Sequence, residues 1–245
     1  MFIKSKFYSY YNPMDNRCIA ICDSGAGGLR LLKKLSSTFP NENFIYYGDY
    51  ENLPYGNKTQ SELIEIARAN CRKFNSFSPK LIVFACNTLT TNTLNTAWLC
   101  NLPVFGTFPS IIEGRGLLLC TKATANSPYL KEVIKKENVE IKIMDGLAEE
   151  IEEGLLSGCE ISVYERFKDF DKNFDFISLG CTHYPYLTSE IRKIFPNSRI
   201  ISGEEILFDQ IEHFITTFDT SQNKGEIAFI GKGRERLKYL YNHLF

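Results

Sequence analysis

The sequence Asp175-Phe-Ile-Ser-Leu-Gly-Cys181-Thr182-His183 indicates how the chain folds, because an earlier segment, Lys80-Leu-Ile-Val-Phe-Ala-Cys86-Asn87-Thr88, has the same pattern. Each runs an apolar strand into a small residue, a cysteine and a threonine. Another apolar run ending in cysteine precedes each of them: Cys22 lies 64 residues before Cys86, and Cys120 lies 61 residues before Cys181. These matching strand ends predict two related α/β lobes. Ligands bind at the carboxyl ends of strands in open α/β sheets, so facing lobes would bring Cys86 and Cys181 to one cleft.

The rest of the chain extends this pattern. Short apolar runs rich in β-formers alternate with longer stretches of helical period, which is typical of βα units around parallel sheets. The predicted strands are 18–22, 44–47, 81–85, 104–105, 117–120, 141–144, 174–179, 199–201 and 227–230. The predicted fold is α/β, with two pseudo-symmetric doubly wound lobes, mostly parallel sheets and an active site between the lobes. The first lobe is predicted to comprise residues 1–100 and 208–245, and the second residues 101–207.

Composition limits the classes of function. The 245 residues are 44% apolar, and 28 Lys and Arg against 29 Asp and Glu leave a net charge of −1. Such a chain can bury a core, and it has no positive field for nucleic acid or an anionic membrane. No stretch approaches the ~20 apolar residues of a membrane span, and Met1 to Ala20 contain no block typical of an export signal. We therefore predict a cytoplasmic protein whose partner is a small molecule, with no nucleic acid and no membrane.

The eight cysteines are expected to be reduced in that compartment. None of them forms the Cys-x-x-Cys pair that a zinc site or a thioredoxin-like redox site uses, so no metal is predicted. Most free cysteines in proteins are small buried hydrophobes, which is the bland interpretation of any one of these. The eight are Cys18, Cys22, Cys71, Cys86, Cys100, Cys120, Cys159 and Cys181.

A glycine-rich turn, Asp23-Ser24-Gly25-Ala26-Gly27-Gly28, follows the first strand and opens a helix at Leu29. It lacks the Gly-Lys-Ser/Thr of a P-loop, and Arg30 stands where a dinucleotide-binding fingerprint needs its third glycine. Two interpretations stay open. The backbone N–H groups could hold the carboxylate of a small zwitterion whose ammonium group meets Asp23. Alternatively, this is a tight βα turn in which Asp23 acts as a cap.

Cys86 and Cys181 are each predicted to precede a helix, where a thiolate is stabilised and the pKa of the thiol falls. His183, two residues after Cys181, is placed to exchange protons with it. If a substrate lies between the two thiols, one can remove a proton from one face of a carbon while the other donates to the opposite face. Reversible inversion of a stereocentre needs such a pair. No lysine lies in a comparable turn, so no pyridoxal cofactor is predicted.

Several motifs of the chain, in order and spacing, resemble the bacterial glutamate racemases of the aspartate/glutamate racemase superfamily. The resemblance covers about Cys18 to Ile206, which is most of the chain. Its motifs are Asp23-Ser24-Gly25, Gly48-Asp49 with Pro54-Tyr55-Gly56, Cys86-Asn87-Thr88, Thr121-x-x-Thr124-x-x-Ser127 and Gly180-Cys181-Thr182-His183-Tyr184-Pro185.

The resemblance implies a cofactor-independent isomerase of two α/β lobes that interconverts L- and D-glutamate for peptidoglycan precursors. It implies that Cys86 and Cys181 are the acid/base pair, with Asp23 assisting near Cys86 and His183 near Cys181. Substrate-binding and pocket-lining roles fall by motif on Ser24, Tyr55, Gly56, Asn87, Thr88, Thr121 and Thr182. The family's second-lobe glutamate falls on Glu152, although an acidic helix face such as Glu149-Glu150-Ile151-Glu152-Glu153 is usually solvated.

Two alternatives stay open beside glutamate racemisation. One is an aspartate or broad-specificity racemase, and the other is a binding or regulatory relative without turnover. His183, rather than Glu, directly after Cys181-Thr182 resembles the glutamate enzymes more than the aspartate enzymes. The presence of both cysteines favours catalysis, since binding alone requires no pair of thiols. A homodimer is expected because twofold dimers are the commonest oligomers of soluble proteins.

Overall fold

A computed structural model describes residues 17–93, 100–134, 138–217 and 223–244. In these residues the chain forms nine β-strands in two parallel sheets. The strands are β1 (Ile19–Asp23), β2 (Phe44–Gly48), β3 (Leu81–Phe84), β4 (Val104–Gly106), β5 (Gly116–Cys120), β6 (Val139–Ile143), β7 (Phe176–Gly180), β8 (Arg199–Ser202) and β9 (Ile227–Ile230). Each of the predicted strands is confirmed, with ends that shift by one or two residues.

The two sheets repeat one topology. The first has the order β4-β3-β1-β2-β9, and the second has the order β6-β5-β7-β8. Read from its other edge, the second sheet is β8-β7-β5-β6, which matches the first four strands of the first sheet in order and direction. β7 therefore occupies the place of β3, and β5 the place of β1. This correspondence confirms the predicted α/β fold of two pseudo-symmetric lobes, and it places Cys86 and Cys181 after equivalent strands.

Nine α-helices of the described residues cover the sheets. They are α1 (Leu29–Thr38), α2 (Gln60–Asn75), α3 (Asn87–Thr93), α4 (Lys122–Ala125), α5 (Pro128–Val133), α6 (Leu147–Ser157), α7 (Thr188–Ile194), α8 (Glu204–Ile215) and α9 (Arg234–His243). Helices α1, α8 and α9 pack on one face of the first sheet, and α2 and α3 pack on its other face. In the second lobe, α6 and α7 cover one face and α5 the other. Strands buried on both faces explain why they appear as continuous apolar runs.

The chain crosses between the lobes twice, after β4 and before α8. β4 pairs with β3 in the first sheet, so assigning this strand to a second lobe that begins at residue 101 is wrong. The apolar run 104–105 satisfies its backbone groups on the free edge of β3, and the chain leaves the first sheet only afterwards. The two crossings touch: a Cβ added to Gly203 would lie 1.8 Å from the carbonyl oxygen of Phe108. Glycine at position 203 permits this close approach.

The structure joins Cys71 of α2 to Cys100 in a disulfide, with their Cα atoms 5.8 Å apart. The expectation that all eight cysteines are reduced is therefore wrong for this pair. The tertiary fold brings together two thiols that lie 29 residues apart in sequence, which their spacing does not reveal. Cys18, Cys22, Cys86, Cys120, Cys159 and Cys181 are free. Among the described residues, no helix is both long enough and apolar enough to cross a membrane.

Candidate active site

Cys86 and Cys181 lie where the topology predicts, each at the end of a strand and each almost fully buried. Cys86 follows β3 and directly precedes α3, and 4% of its surface is exposed. Cys181 follows β7 and is 7% exposed. Burial and the charge of Asp23 raise the pKa of the Cys86 thiol, although the backbone N–H groups of Leu89 and Thr88 act in the opposite direction. The expected lowering of this pKa is therefore wrong, because removal from water outweighs the helix terminus.

Asp23 ends β1 and is fully buried beside Cys86. Its Oδ2 accepts a hydrogen bond of 2.8 Å from the backbone N–H of Gly28, which closes the glycine-rich turn. The hydroxyl of Thr182, from the second lobe, lies 3.3 Å from both carboxylate oxygens. Burial raises the pKa of Asp23, against the lowering effects of His183 and the N–H groups of Gly28 and Ser24. A carboxyl group that is reluctant to ionise is suited to exchanging a proton.

His183 and Glu152 form a buried pair beside Cys181. The Nδ1 atom of His183 lies 3.8 Å from the Cys181 sulfur, and its Nε2 lies 2.7 Å from Oε2 of Glu152. Burial would lower the pKa of His183, but its hydrogen bonds to Cys181 and Glu152 raise it well above its usual value. Burial likewise acts to raise the pKa of Glu152, and the partners of the carboxylate overcome it and lower this pKa to about 2. These opposite shifts favour an imidazolium held by a carboxylate, with Nδ1 of the ring toward the Cys181 sulfur.

Glu152 also binds the glycine-rich turn of the first lobe. The backbone N–H of Ala26 donates to its Oε2 at 2.8 Å, so the turn does bind an anion, and the anion is a side chain of the second lobe. A Cβ added to Gly25 would lie 2.6 Å from that oxygen. A Cβ added to Gly27 would lie 2.4 Å from the Thr182 hydroxyl and 2.8 Å from Nδ1 of His183. Because Gly25 and Gly27 have no side chains, Glu152, Thr182 and His183 of the opposite lobe can pack directly against the backbone of this turn.

A second seam of polar contacts joins the lobes on the α3 side of the cleft. The hydroxyl of Thr88 lies 2.9 Å from that of Thr121 and 3.1 Å from that of Thr124. Gly56 packs against Thr121, since a Cβ added to it would lie 3.1 Å from the threonine Cβ. Buried Asn87 has no hydrogen-bond partner for its Nδ2 among the described residues. An unpaired buried amide donor beside Cys86 is a group that a substrate carboxylate could satisfy.

Tyr55, which is predicted to line the pocket, uses its hydroxyl for a hydrogen bond outside the cleft. Its hydroxyl donates to Oδ2 of buried Asp49 at 2.7 Å, within the first lobe. Ser24 is buried in the glycine-rich turn. The sequence does not predict a role for Tyr50 and Arg236, which both contact Glu152, because nothing in their local sequence distinguishes them from surface residues. In the part of the chain that the structure describes, no three His, Cys, Asp or Glu side chains converge as a metal site.

The site therefore holds two buried thiols on opposite lobes. They are close enough that a negative charge on Cys181 would raise the pKa of Cys86. One thiol has a carboxyl group beside it, and the other has an imidazolium–carboxylate pair. Such an arrangement can remove a proton on one side of a bound molecule and deliver a proton on the other.

Comparisons with known proteins agree on one kind of relative. No protein-family model matches the chain. A glutamate racemase of Clostridium acetobutylicum is 32% identical over 234 residues, which cover 88% of this chain and 91% of that protein. A glutamate racemase of Buchnera aphidicola is 32% identical over 248 residues, covering 91% and 94%. Among solved structures, the glutamate racemase of Francisella tularensis in complex with D-glutamate superposes with a TM-score of 0.77 at 26% identity, covering 92% of this chain and 93% of that one.

Proposed function

This chain belongs to the glutamate racemase family, and we propose that it interconverts L- and D-glutamate without a cofactor, using Cys86 and Cys181 as a two-base pair. The observation that carries the proposal is the placement of these two thiols after the equivalent strands β3 and β7 of opposite lobes, each beside its own proton partner. Binding alone would not require buried thiols on both sides of a cleft.

In one direction of the reaction, a thiolate takes the α-proton of glutamate, and the electron pair of the broken C–H bond stays on the α-carbon. The thiol of the other cysteine then gives its proton to the opposite face of that carbon. The first cysteine ends as a thiol and the second as a thiolate, so the reverse reaction starts from the state that the forward reaction leaves. Asp23 on one side and His183 on the other exchange protons with Cys86 and Cys181 and return them to the starting state.

Substrate binding uses groups that already lie along both lobes. Asn87, with its unpaired amide donor, and the threonine hydroxyls of 88, 121 and 182 are polar and uncharged. The hydroxyls of Thr88 and Thr121 bond to each other across the cleft in this structure, and carboxylate oxygens of glutamate replace that contact when the substrate binds. Ser24 and the backbone of Tyr55-Gly56 complete the proposed pocket.

We infer that the D-glutamate product supplies peptidoglycan precursors, as the sequence resemblance implies, and that the enzyme acts in the cytoplasm. The enzyme is proposed to act as a homodimer, as is commonest for soluble oligomers.

The test incubates the purified protein with L-glutamate, and separately with L-aspartate, in D₂O with a chelator and no added cofactor. Optical rotation and the Cα–H NMR signal are followed together. We expect both signals to disappear with glutamate and to persist with aspartate. Loss of the signals with aspartate as well would establish a broad-specificity racemase. Persistence of both signals with both amino acids would overturn the proposed reaction in favour of a binding or regulatory relative.

A further inference from the structure

Tyr50 and Arg236 belong to the first lobe, and both of them contact Glu152 of the second lobe. The Tyr50 hydroxyl donates a hydrogen bond to Oε1 of Glu152. The Nη2 atom of Arg236 lies 3.6 Å from the same oxygen and donates to the backbone carbonyl of Glu152 at 2.9 Å. Tyr50 follows β2, and Arg236 lies in α9, the last helix of the described chain. Among the described residues, both side chains share Glu152 as a polar partner, and it is through Glu152 that they reach His183 and Cys181.

The two oxygens of the Glu152 carboxylate have separate partners. Oε2 receives the Nε2 of His183 and the backbone N–H of Ala26, while Oε1 receives Tyr50 and faces Arg236. A carboxylate held at both oxygens cannot rotate about its last carbon–carbon bond, so the direction of Oε2 toward the imidazole is fixed. That direction in turn fixes the ring, whose Nδ1 faces the Cys181 sulfur 3.8 Å away.

Tyr50 and Arg236 are themselves held in place. The guanidinium carbon of Arg236 lies 5.1 Å from the centre of the Tyr50 ring, which is a cation–π contact. On α9, the N-cap residue Gly233 lies so close to Tyr50 that an added Cβ would be 1.9 Å from the ring. Burial and the charge of Glu152 raise the pKa of Tyr50, so its hydroxyl keeps its proton and remains a donor.

These contacts could have either of two roles: they could hold the two lobes together as a latch, or they could position His183 beside Cys181. The two roles predict different changes in the kinetics. A latch changes how often the cleft opens, so its loss affects both directions of the reaction and both proton transfers alike. Loss of positioning at His183 affects only proton transfers at Cys181. From the chain of contacts that runs through Glu152 and His183 to Cys181, we propose that Tyr50 and Arg236 are positioning residues of the racemisation, which orient Glu152, then His183 and so Cys181. This role rests on the proposed function.

The ratio of rates on the two enantiomers cannot reveal this role. L- and D-glutamate have equal free energy, so their kcat/KM values stay equal in every active variant. Isotope effects on the α-deuterated enantiomers are free of that constraint. When transfer at Cys181 slows, the deuterium effect rises for the enantiomer that Cys181 deprotonates. It falls for the other enantiomer, since there the slow step becomes reprotonation from Cys181.

The experiment compares wild type with Tyr50→Phe and Arg236→Met on α-deuterated L- and D-glutamate. The loss of a hydrogen bond to a buried charged group predicts a decrease in kcat of about tenfold for Tyr50→Phe. For Arg236→Met, whose side chain is partly exposed, a decrease of about threefold is expected. Both variants should raise the isotope effect for one enantiomer and lower it for the other, in the same sense as His183→Gln.

Matched controls come from the same helix. Tyr241→Phe removes a tyrosine hydroxyl that bonds to Ser36, and Arg234→Met removes an exposed arginine near Arg236. Both should keep wild-type kinetics. A double variant tests the order of action: if Tyr50 works through Glu152, then Tyr50→Phe added to Glu152→Gln should cost little beyond Glu152→Gln alone.

Each outcome has a single meaning. Wild type that leaves glutamate unchanged overturns the proposed function, whatever the variants do. Wild type that racemises glutamate, with Tyr50→Phe changing neither isotope effect or changing both in one direction, overturns the positioning role and leaves the proposed function standing. Additive losses in the double variant also overturn it, because they place Tyr50 outside the path through Glu152.

Discussion

The Cys86 side and the Cys181 side of the cleft have the same strand arrangement, but different groups lie beside the two cysteines. In each lobe a central parallel strand runs into a cysteine at its carboxyl end, and the strand orders correspond. Beside Cys86 stands Asp23, a carboxyl group whose pKa is raised by burial. Beside Cys181 stands an imidazolium–carboxylate pair in which the pKa of Glu152 is lowered to about 2, because its partners outweigh burial.

This difference shows which positions follow from the repeated topology and which depend on loops and on contacts between the lobes. The repeated fold places the two thiols, since both follow equivalent strands. It does not place the carboxyl groups of the two sides in the same way: Asp23 is the last residue of β1, whereas Glu152 comes from α6 and is held by residues of the other lobe. Two buried carboxylates, similar in exposure, are therefore expected to have opposite effects on stability. Four substitutions test the comparison.

The largest expected effect comes from removing either thiol. Cys86→Ala and Cys181→Ala should each lower kcat for glutamate by about 10³-fold or more, since each removes the group that exchanges a proton with the α-carbon on one side of the substrate in the proposed mechanism. Equal losses would show that both sides are required despite their different surroundings. Racemisation followed by polarimetry measures the effect.

The control for the thiols is Cys159→Ala, which changes an exposed free cysteine and should leave the rate unchanged. Circular dichroism and thermal unfolding confirm that the variants fold. A rate near that of wild type in either single variant would contradict the two-base mechanism, and the comparison between the two sides would then have no bearing on the reaction.

The next effect is on stability and concerns the Cys181 side. Glu152→Gln should lower the free energy of unfolding by about 3 kcal/mol, because it leaves a buried imidazolium without its counter-charge. The pKa of Glu152 is lowered from 4.5 to about 2, so its contribution is complete above pH 4.5 and is lost as the pH falls through 2. The pKa of His183 is raised from 6.5, so its contribution is complete below pH 6.5 and is lost as the pH rises through the raised value.

Urea unfolding at about pH 6 and about pH 9.5 measures this effect, and the difference between wild type and Glu152→Gln should be smaller at the higher pH. Glu190→Gln is the matched control, because it breaks an exposed pair with Lys193 and should change stability by less than about 0.5 kcal/mol. A loss of equal size at both pH values would show that His183 is not charged in the folded protein.

The two sides of the cleft also differ in how much of their structure the sequence predicts. Apolar runs, the repeated strand–cysteine pattern and the spacing of Cys22, Cys86, Cys120 and Cys181 predict the strands, the two lobes and the thiols, because each follows from local pattern. Burial of Glu152 could not be predicted from such a pattern, since it stands in an acidic helix whose neighbours Glu150 and Glu153 are exposed. Its partners in the first lobe, Ala26, Tyr50 and Arg236, lie 126, 102 and 84 positions away and meet it only when the lobes pack.

The smallest expected effect concerns the Cys86 side and has the opposite sign. The pKa of Asp23 is raised above 3.8 by burial, so the folded protein binds this proton more tightly than the unfolded chain does. Stability from this group is therefore present at low pH and is lost as the pH rises through the raised pKa, which makes the ionised Asp23 a net cost at neutral pH. Asp23→Asn keeps an oxygen to accept from Gly28 and removes the charge, so it should raise the free energy of unfolding by about 1 kcal/mol.

The same substitution should slow racemisation by about thirtyfold, because an amide cannot exchange a proton with Cys86. Gain of stability with loss of rate in one variant would show that Asp23 is retained for the reaction at the expense of the fold, whereas Glu152 serves both. Urea unfolding at pH 7 and racemisation by polarimetry, on the same preparation, measure the two quantities. A variant that is both less stable and slower would place Asp23 among the stabilising groups, and the two sides of the cleft would then differ in partner but not in energetic character.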